Sequence, residues 1–172
     1  MIYVAITFVV LVVLNIYCSA VCKRLFYQSK ESAMVEKAQL AAAKIGTLDV
    51  LTPSSVSEVV AQMSSLKVTQ LVITDHAGVV LYDSGPESTV GQPTSQDSIV
   101  TALECNDVFN WFYHDGVMRS EAATPVISYG ITAGCVYMME IDADLGALMR
   151  SLHLTILTIT LVLELQIGRA HV

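Results

Sequence analysis

The sequence predicts an α+β domain of about five antiparallel strands with helices at one side, flanked by two apolar membrane helices. Three observations support this fold class. An uncharged apolar run opens the chain, and a second apolar run lies near its end. Between them, short β-branched runs alternate with turn residues, which is typical of antiparallel strands. Hydrophobic residues make up 53% of the chain and charged residues only 15%, against about 25% charged in ordinary soluble domains.

The first apolar run covers residues 2–21 and contains no charge. Its length matches the roughly 20 residues that a helix needs to cross the hydrocarbon core of a bilayer. Asn15 is its one strongly polar side chain, and Lys23 and Arg24 end it. A cleaved signal peptide would carry a basic segment before the apolar one, and nothing basic precedes Ile2. We therefore expect an uncleaved membrane helix over residues 1–24.

The second apolar run begins near Leu152 and stops at Glu164, which is too short to span a bilayer. The last six residues, IGRAHV, match the translation of a common sequencing-adaptor string. We therefore expect residues 150–166 to be the start of a second, truncated membrane helix and residues 167–172 to be a non-native tail. The chain would then be the front part of a longer protein. The alternative is an ordinary short C-terminus.

Residues 25–45 are predicted to continue the first membrane helix outwards, with Gly46 as its stop. Apolar positions in this helix are alternately four and three residues apart, a spacing typical of a coiled-coil seam. The seam consists of Met34, Ala38, Ala41 and Ile45, and it predicts that two chains pair along this helix as a homodimer. The alternative is that the same stripe packs on its own domain.

The remaining elements are predicted from turn and capping residues. Thr52-Pro53-Ser54-Ser55 favours the start of a helix over residues 56–66, and Asp142 is a suitable cap for a last helix. A tight loop at 75–78 and turns at 114–116 and at Gly134 separate strands. The predicted strands are 68–74, 79–82, 108–113, 117–131 as one long or broken strand, and 135–141, with a short helix at 96–103.

Composition and motifs exclude several classes of function. The net charge of −7 argues against nucleic acid as a partner, because phosphate binding needs clustered Lys and Arg. The sequence has no Gly-rich phosphate loop, no nucleophile elbow, and no His, Cys or carboxylate pair at metal-ligand spacing on a helix. We therefore assign no catalytic residue, no metal ligand and no cofactor to the chain.

Charge and aromatic content suggest two ways of sensing a stimulus. Residues 46–149 carry thirteen carboxylates and two bases, and an acidic domain near an anionic membrane can recruit divalent cations. The carboxylates are scattered, so a solvated surface is the preferred interpretation. Arg119 lies near Tyr113, Tyr129 and Tyr137, and a buried Arg in such a place can hold a ligand carboxylate. The alternative is an exposed Arg beside core tyrosines.

The four cysteines include no C-x-x-C pair, so a zinc ribbon is not expected. Cys18 and Cys22 lie four residues apart on one face of the first membrane helix, where small apolar side chains suit a helix interface. Cys105 and Cys135 lie in the central domain. In an oxidising compartment they can form a disulfide, and two free thiols are the equal alternative.

A family resemblance rests on two segments. Residues 74–84, TDHAGVVLYDS, resemble the D-x-x-G-x-V-L-x-D-S hairpin of extracytoplasmic PAS-like, or Cache-type, sensor domains, and Gly91 matches a glycine that follows that hairpin. Residues 123–142 look like the closing hairpin of the same family. The resemblance covers about residues 1–165. It implies a PAS-like five-stranded antiparallel sheet with a long N-terminal helix, occupying residues 25–149 between two membrane helices.

The resemblance also implies a role. Such domains are the signal-input regions of bacterial two-component sensor histidine kinases, where a stimulus passes through the membrane helices to a cytoplasmic kinase that uses ATP and Mg²⁺ and phosphorylates a response regulator. Chemoreceptors and other non-kinase receptors carry similar domains, so they are the alternative. The implied partners are a second copy of the chain, the cell membrane, and a small molecule or divalent cation as stimulus. The implied location is the cell membrane, multi-pass, with the sensor domain outside the cytoplasm.

Overall fold

Four helices and five strands follow one another in the computed structural model, which describes residues 2–63, 67–114 and 117–169. The elements are α1 (Ile2–Ile45), α2 (Pro53–Gln62), β1 (Gln70–Asp75), β2 (Val80–Asp83), α3 (Asp97–Leu103), β3 (Val108–His114), β4 (Val117–Ser128), β5 (Ile131–Asp142) and α4 (Ala143–Arg169). The predicted end of the second helix at 64–66, most of the turn at 114–116 and the last residues of the tail lie outside the described ranges.

The strands form one antiparallel sheet in the order β2-β1-β5-β4-β3. Because side chains alternate across a strand, the sheet has two distinct faces. Helices α1 and α2 pack on one of them, called here the α1 face. The short helix α3 packs on the other, called the α3 face. The predicted α+β class, the five-stranded antiparallel sheet and the long N-terminal helix are confirmed.

Helix α1 is continuous from the apolar run to Ile45, a length of about 66 Å at 1.5 Å per residue. Met34, Ala38, Ala41 and Ile45 are each 0% exposed and belong to the core between α1 and the sheet. This corrects the predicted dimer seam, because the domain itself covers all four side chains. The stripe at seam spacing is the face by which α1 packs on its own sheet. A homodimer formed by other surfaces stays a prediction.

The last hairpin differs from its predicted form. Gly134 lies inside β5 rather than at a turn. Here β5 passes so close to β1 that a Cβ on Gly134 would lie 2.0 Å from the Thr74 carbonyl oxygen. The turn is made by Tyr129 and Gly130, which have φ angles of 52° and 79°. Pro125 lies beyond the stretch of β4 that pairs with β3, where β5 is the one neighbouring strand in the described sheet, and such edge-like positions tolerate proline.

The hairpin that carries the family resemblance is held by side-chain to backbone hydrogen bonds. Asp75 Oδ1 accepts from the N–H groups of Ala77 and Val79, each at 2.9 Å. Gly78 supplies the positive φ of 77° that the tight loop requires. At the other end, Ser84 Oγ accepts from the N–H of Leu71 at 2.8 Å. These motif residues therefore shape the hairpin.

Asp83 organises the loop that follows β2. Its carboxylate accepts from Gln70 Nε2 at 3.0 Å, from the N–H of Gly85 at 2.8 Å, and from Thr89 Oγ1 at 2.8 Å. Partial burial by itself raises the pKa of Asp83, but these hydrogen bonds outweigh it and hold the pKa below its usual value. The charged form of Asp83 therefore stabilises the folded loop.

Among the described residues, two helices are long and apolar enough to cross a membrane. One lies within Ile6–Ile45, with a mean hydropathy of 2.1 in its most apolar window, and the other is Ala143–Leu163, with 1.6. The second span is longer than the predicted run because it begins at the start of α4. Asp142 caps α4, accepting from the Leu145 N–H at 2.8 Å as expected. Between the two apolar segments, Asn15 Nδ2 donates to Thr160 Oγ1 at 2.9 Å.

Replacing Asp83 by Ala should lower the free energy of unfolding by about 1–3 kcal/mol at pH 7, because several donors lose a charged acceptor. Since the pKa of Asp83 is lower in the folded state, its contribution to stability is fully present above the unfolded-state pKa of about 3.9. The contribution is lost as the pH falls through the lower pKa of the folded state. Denaturant unfolding should show a smaller difference in the free energy of unfolding between the wild type and Asp83→Ala at pH 3 than at pH 7. Glu87→Ala, in the same loop but exposed, should have the same free energy of unfolding as the wild type at either pH.

Replacing Ala38 by Leu should destabilise the domain by about 1–3 kcal/mol, because the larger side chain has no space between α1 and the sheet. Ala43→Leu is the matched control, since Ala43 is exposed on the same helix. Thermal unfolding of both variants in detergent measures the difference. Equal stability of the two variants would contradict the buried position of Ala38.

Candidate functional site

A group of polar side chains meets on the α3 face, where the start of α3 lies over β3, β4 and β5. We call it the polar cluster, and its members are Gln96, Ser98, Asn110, Arg119, Glu121 and Tyr137. Arg119 and Glu121 lie two residues apart on β4 and so share a face. Asn110 pairs with Glu121 from the neighbouring strand β3. Antiparallel pairing and the period of two thus bring distant residues together.

An ion pair forms the centre of the polar cluster. Arg119 Nη2 lies 2.7 Å from Glu121 Oε1, and the exposed fractions of the two side chains are 49% and 8%. Partial burial by itself lowers the pKa of Arg119, but a hydrogen bond with Tyr137 and the charge of Glu121 outweigh it and raise the pKa. The guanidinium thus has one side on the protein and one side open to solvent.

Tyr137 is the buried member of the polar cluster. Its side chain is 2% exposed and lies on β5 beside β1 and β4. Burial raises the pKa of its hydroxyl, and hydrogen bonds with Gln96 and Arg119 offset part of that rise. Tyr137 therefore remains a neutral phenol at physiological pH and links the loop before α3 to Arg119.

The carboxylate of Glu121 is held on several sides. Ser98 Oγ, near the start of α3, donates to Glu121 Oε2 at 3.4 Å. Asn110 Nδ2 donates in turn to Ser98 Oγ at 3.2 Å. A buried carboxylate is costly unless it is paired, and Arg119 provides that pairing. These contacts connect the start of α3 to β3 and β4.

Of the four residues predicted from sequence, the structure brings together Arg119 and Tyr137 and separates the other two. Tyr113 is half-exposed on β3 and faces the side of the sheet opposite to Arg119, because Arg119 pairs with Phe112. Tyr129 is 88% exposed at the β4–β5 turn, where its hydroxyl donates to Asp49 Oδ1 at 3.0 Å. Both are corrections, since nearness in sequence to Arg119 did not place them on its face.

Sequence reasoning missed Glu121, the nearest partner of Arg119. The signal was available, because residues two apart on a strand share a face and β4 was predicted as a strand. Ser98 and Asn110 carried no such signal. Their contact with Glu121 depends on how α3 crosses the sheet, which the local sequence does not state.

The cysteines and acidic groups form no further site in the part of the chain that the structure describes. All four cysteines are free thiols there: Cys135 is buried, whereas Cys105 is exposed. Burial raises the pKa of the Cys135 thiol to about 12, so it is unreactive at neutral pH. Among the described residues, no three His, Cys, Asp or Glu side chains are grouped so as to hold a metal ion.

The arrangement of the polar cluster suits recognition rather than catalysis. A half-exposed guanidinium can bind a carboxylate, and a carboxylate beside it can bind an ammonium group. Because Glu121 already neutralises Arg119, a simple anion gains little net attraction here. A ligand that carries both charges is the best match to the pair.

No protein-family model matches the sequence, and no curated protein matches it. Solved structures do match in fold. The sensor domain of DcuS from E. coli has a TM-score of 0.50 and 16% identity, over 70% of this chain and 97% of that one. The sensor domain of the histidine kinase DctB from V. cholerae has a TM-score of 0.51 and 12% identity, over 77% of this chain and 60% of that one.

A chemoreceptor domain matches to a similar degree. The ligand-binding domain of the amino acid chemoreceptor PctC from Pseudomonas aeruginosa, solved in complex with GABA, has a TM-score of 0.55 and 16% identity. That match covers 73% of this chain and 59% of the other. At such identities the likeness concerns the fold. The chain shares the fold of these domains, a PAS-like five-stranded antiparallel sheet with a long N-terminal helix.

Proposed function

We propose that the chain is the signal-input region of a membrane-bound sensor histidine kinase that detects a small molecule at the polar cluster. The observation that carries this proposal is the Arg119–Glu121 pair on the α3 face, in a fold shared with known sensor domains. A stimulus there would pass through α1 and α4 to a cytoplasmic kinase that uses ATP and Mg²⁺ and phosphorylates a response regulator. The protein would act as a homodimer.

The ligand is best matched by a small zwitterion with separated carboxylate and ammonium groups. Arg119 would hold the carboxylate through its solvent-facing N–H groups, and the negative charge of Glu121, whose side chain is 8% exposed, would attract the ammonium. The domain of PctC was solved with GABA, a molecule of this charge pattern. A divalent cation is the weaker candidate, since the described residues group no three possible ligands for it.

The two apolar helices on either side of the sensor domain support the proposed membrane arrangement. Both would cross the cell membrane, and the sheet would lie outside the cytoplasm. Lys23 and Arg24 would then lie on the outer side, opposite to the usual positive-inside tendency. Orientation therefore needs a direct measurement.

An input domain of a chemoreceptor is the second candidate function, favoured by the match to PctC at a TM-score of 0.55. The coding sequence that follows the second membrane helix separates the two candidates. A phosphoacceptor His helix followed by an ATP-binding domain would support the kinase. A long coiled coil without nucleotide motifs would support the chemoreceptor.

Binding can be tested by titrating the full chain in lipid nanodiscs with three probes: GABA, butyrate and butylamine. GABA should raise the melting temperature, whereas butyrate and butylamine, each with one charge, should have little effect. Arg119→Ala should weaken GABA binding about tenfold or more, because one charge-assisted hydrogen bond contributes about 1.5–3 kcal/mol. Isothermal titration calorimetry measures the change.

The control for this test is Glu87→Ala, which removes an exposed carboxylate away from the polar cluster. It should leave the response to GABA unchanged. A larger response to butyrate than to GABA would contradict the zwitterion proposal. A response to GABA that survives Arg119→Ala at full strength would remove the polar cluster as the site.

Orientation can be tested with Ser88→Cys, an exposed position in the sensor domain, introduced into a chain that also carries Cys105→Ser. A membrane-impermeant maleimide should label this cysteine in intact bacterial cells. The chain with Cys105→Ser alone should stay unlabelled. Labelling that occurs only after lysis would reverse the proposed topology.

A further inference from the structure

We propose that the membrane-proximal end of the sheet is itself a lipid-contact surface, seated on the outer headgroup layer of the bilayer. The surface consists of Trp111, Phe112, Tyr113 and Ile141, called here the aromatic rim. The inference rests on the proposed membrane function and goes beyond it, since it assigns a lipid surface as partner to the sensor domain in addition to its two helices.

The aromatic rim is apolar on both faces of the sheet. Phe112, Tyr113 and Ile141 are 53%, 51% and 49% exposed. Phe112 and Ile141 flank Arg119 in one row across the α3 face, whereas Tyr113 points to the α1 face. Exposed apolar groups gathered at one end of a domain indicate a partner that covers them.

The level of the aromatic rim can be located along α1. Gln39 Nε2 donates to Asp107 Oδ2 at 2.8 Å, and the Tyr27 ring contacts Trp111 with centroids 5.3 Å apart. Strand β3 therefore runs back along α1 towards the membrane. Tyr113 lies two residues beyond Trp111, about 7 Å further along the strand. Since about 7 Å equals at most four to five helical residues, Tyr113 lies between the levels of Tyr27 and Lys23 on α1. Ile141 lies farther out, near the level of Lys30, because its neighbours Glu140 and Asp142 both contact Lys30.

Helix α4 places a third cation at the same level. The hydrogen bond between Asn15 and Thr160 aligns the two antiparallel helices. Ten residues outwards from Asn15 lies Leu25, and ten residues outwards from Thr160 lies Arg150, because both helices rise 1.5 Å per residue. Arg150 is therefore level with Leu25, next to Arg24, and it lies within the outer part of the apolar span Ala143–Leu163.

The headgroup layer on each side of a bilayer is about 5–7 Å thick, and Trp and Tyr are enriched there. Lys23, Arg24 and Arg150 would lie at this layer and complement anionic headgroups, whereas Arg119 at the rim is already paired with Glu121. The nearby carboxylates of Glu140 and Asp142 are paired with Lys30. This charge pattern, together with the continuity of the rim with both membrane helices, favours lipid as its partner over a second protein chain.

The test uses the single tryptophan of the chain, Trp111. The full chain is reconstituted into vesicles of phosphatidylcholine and phosphatidylglycerol that carry a spin label either on the headgroup or at the acyl-chain end. Because about 15 Å of hydrocarbon separates these two labels, the headgroup label should quench Trp111 emission about twofold or more strongly than the acyl label. Phe112→Ser together with Tyr113→Ser should reduce the quenching by the headgroup label.

Two reporter variants separate the possible outcomes, each in a chain with Trp111→Phe. Tyr129→Trp marks the opposite end of the domain, and its emission should resist both labels. Tyr17→Trp marks the membrane segment, where Tyr17 is exposed, and its emission should be quenched by the acyl label. If the membrane reporter is quenched but Trp111 responds like the reporter at the opposite end, the rim proposal is overturned while membrane insertion stands.

Other results also decide between partners. If the membrane reporter resists both labels, membrane insertion and the rim proposal fail together. If Trp111 resists both the headgroup label and aqueous iodide, and this protection falls as the protein is diluted in lipid, a second copy covers the rim. That result would overturn lipid as the partner.

Discussion

The close packing of α1 on the sheet is the constraint on which the rest of the structure depends. Ala38, Ala41 and Ala42 on the helix face Ala122 on the strand side of the same core. Small side chains on both partners allow a close approach of helix and sheet. Gly46 continues this approach, since a Cβ there would lie 2.6 Å from the Ile127 carbonyl oxygen. The helix is thereby fixed along the full height of the domain.

This packing ties both long apolar helices to the same sheet. Lys30 on α1 pairs with Glu140 and Asp142 at the end of β5, and Lys37 also reaches Glu140. Helix α4 begins directly after Asp142, so the two helices are joined through one cluster of charges. These ion pairs connect α1 to the start of α4. The polar cluster lies on the opposite face of the same strands, where alternate residues of β4 contact α1 and α3 in turn.

The order of elements and the structural class were predictable because their signals are local. Hydrophobic period, capping residues and turn residues predicted the order of the helices and strands, with Asp142 and Thr52 acting as the expected caps. The last turn was misplaced, because the predicted strand to residue 131 runs over the turn at Tyr129 and Gly130. The candidate site was only half predictable. Arg119 stood out as a rare base, yet two of its three expected tyrosine neighbours lie elsewhere, and its true partner Glu121 was overlooked.

By itself, the sequence determined the apolar ends, the strand pattern and the hairpin shaped by Asp75, Gly78 and Asp83, because each depends on residues close together in the chain. Tertiary structure alone decided which face of α1 is buried, since the spacing that suits a second helix also suits a sheet. It decided likewise that Gly134 lies inside a strand against the Thr74 carbonyl. It also decided that Ser98 and Asn110 meet Glu121. These contacts join segments far apart in sequence, and only the packing of the whole domain brings them within reach.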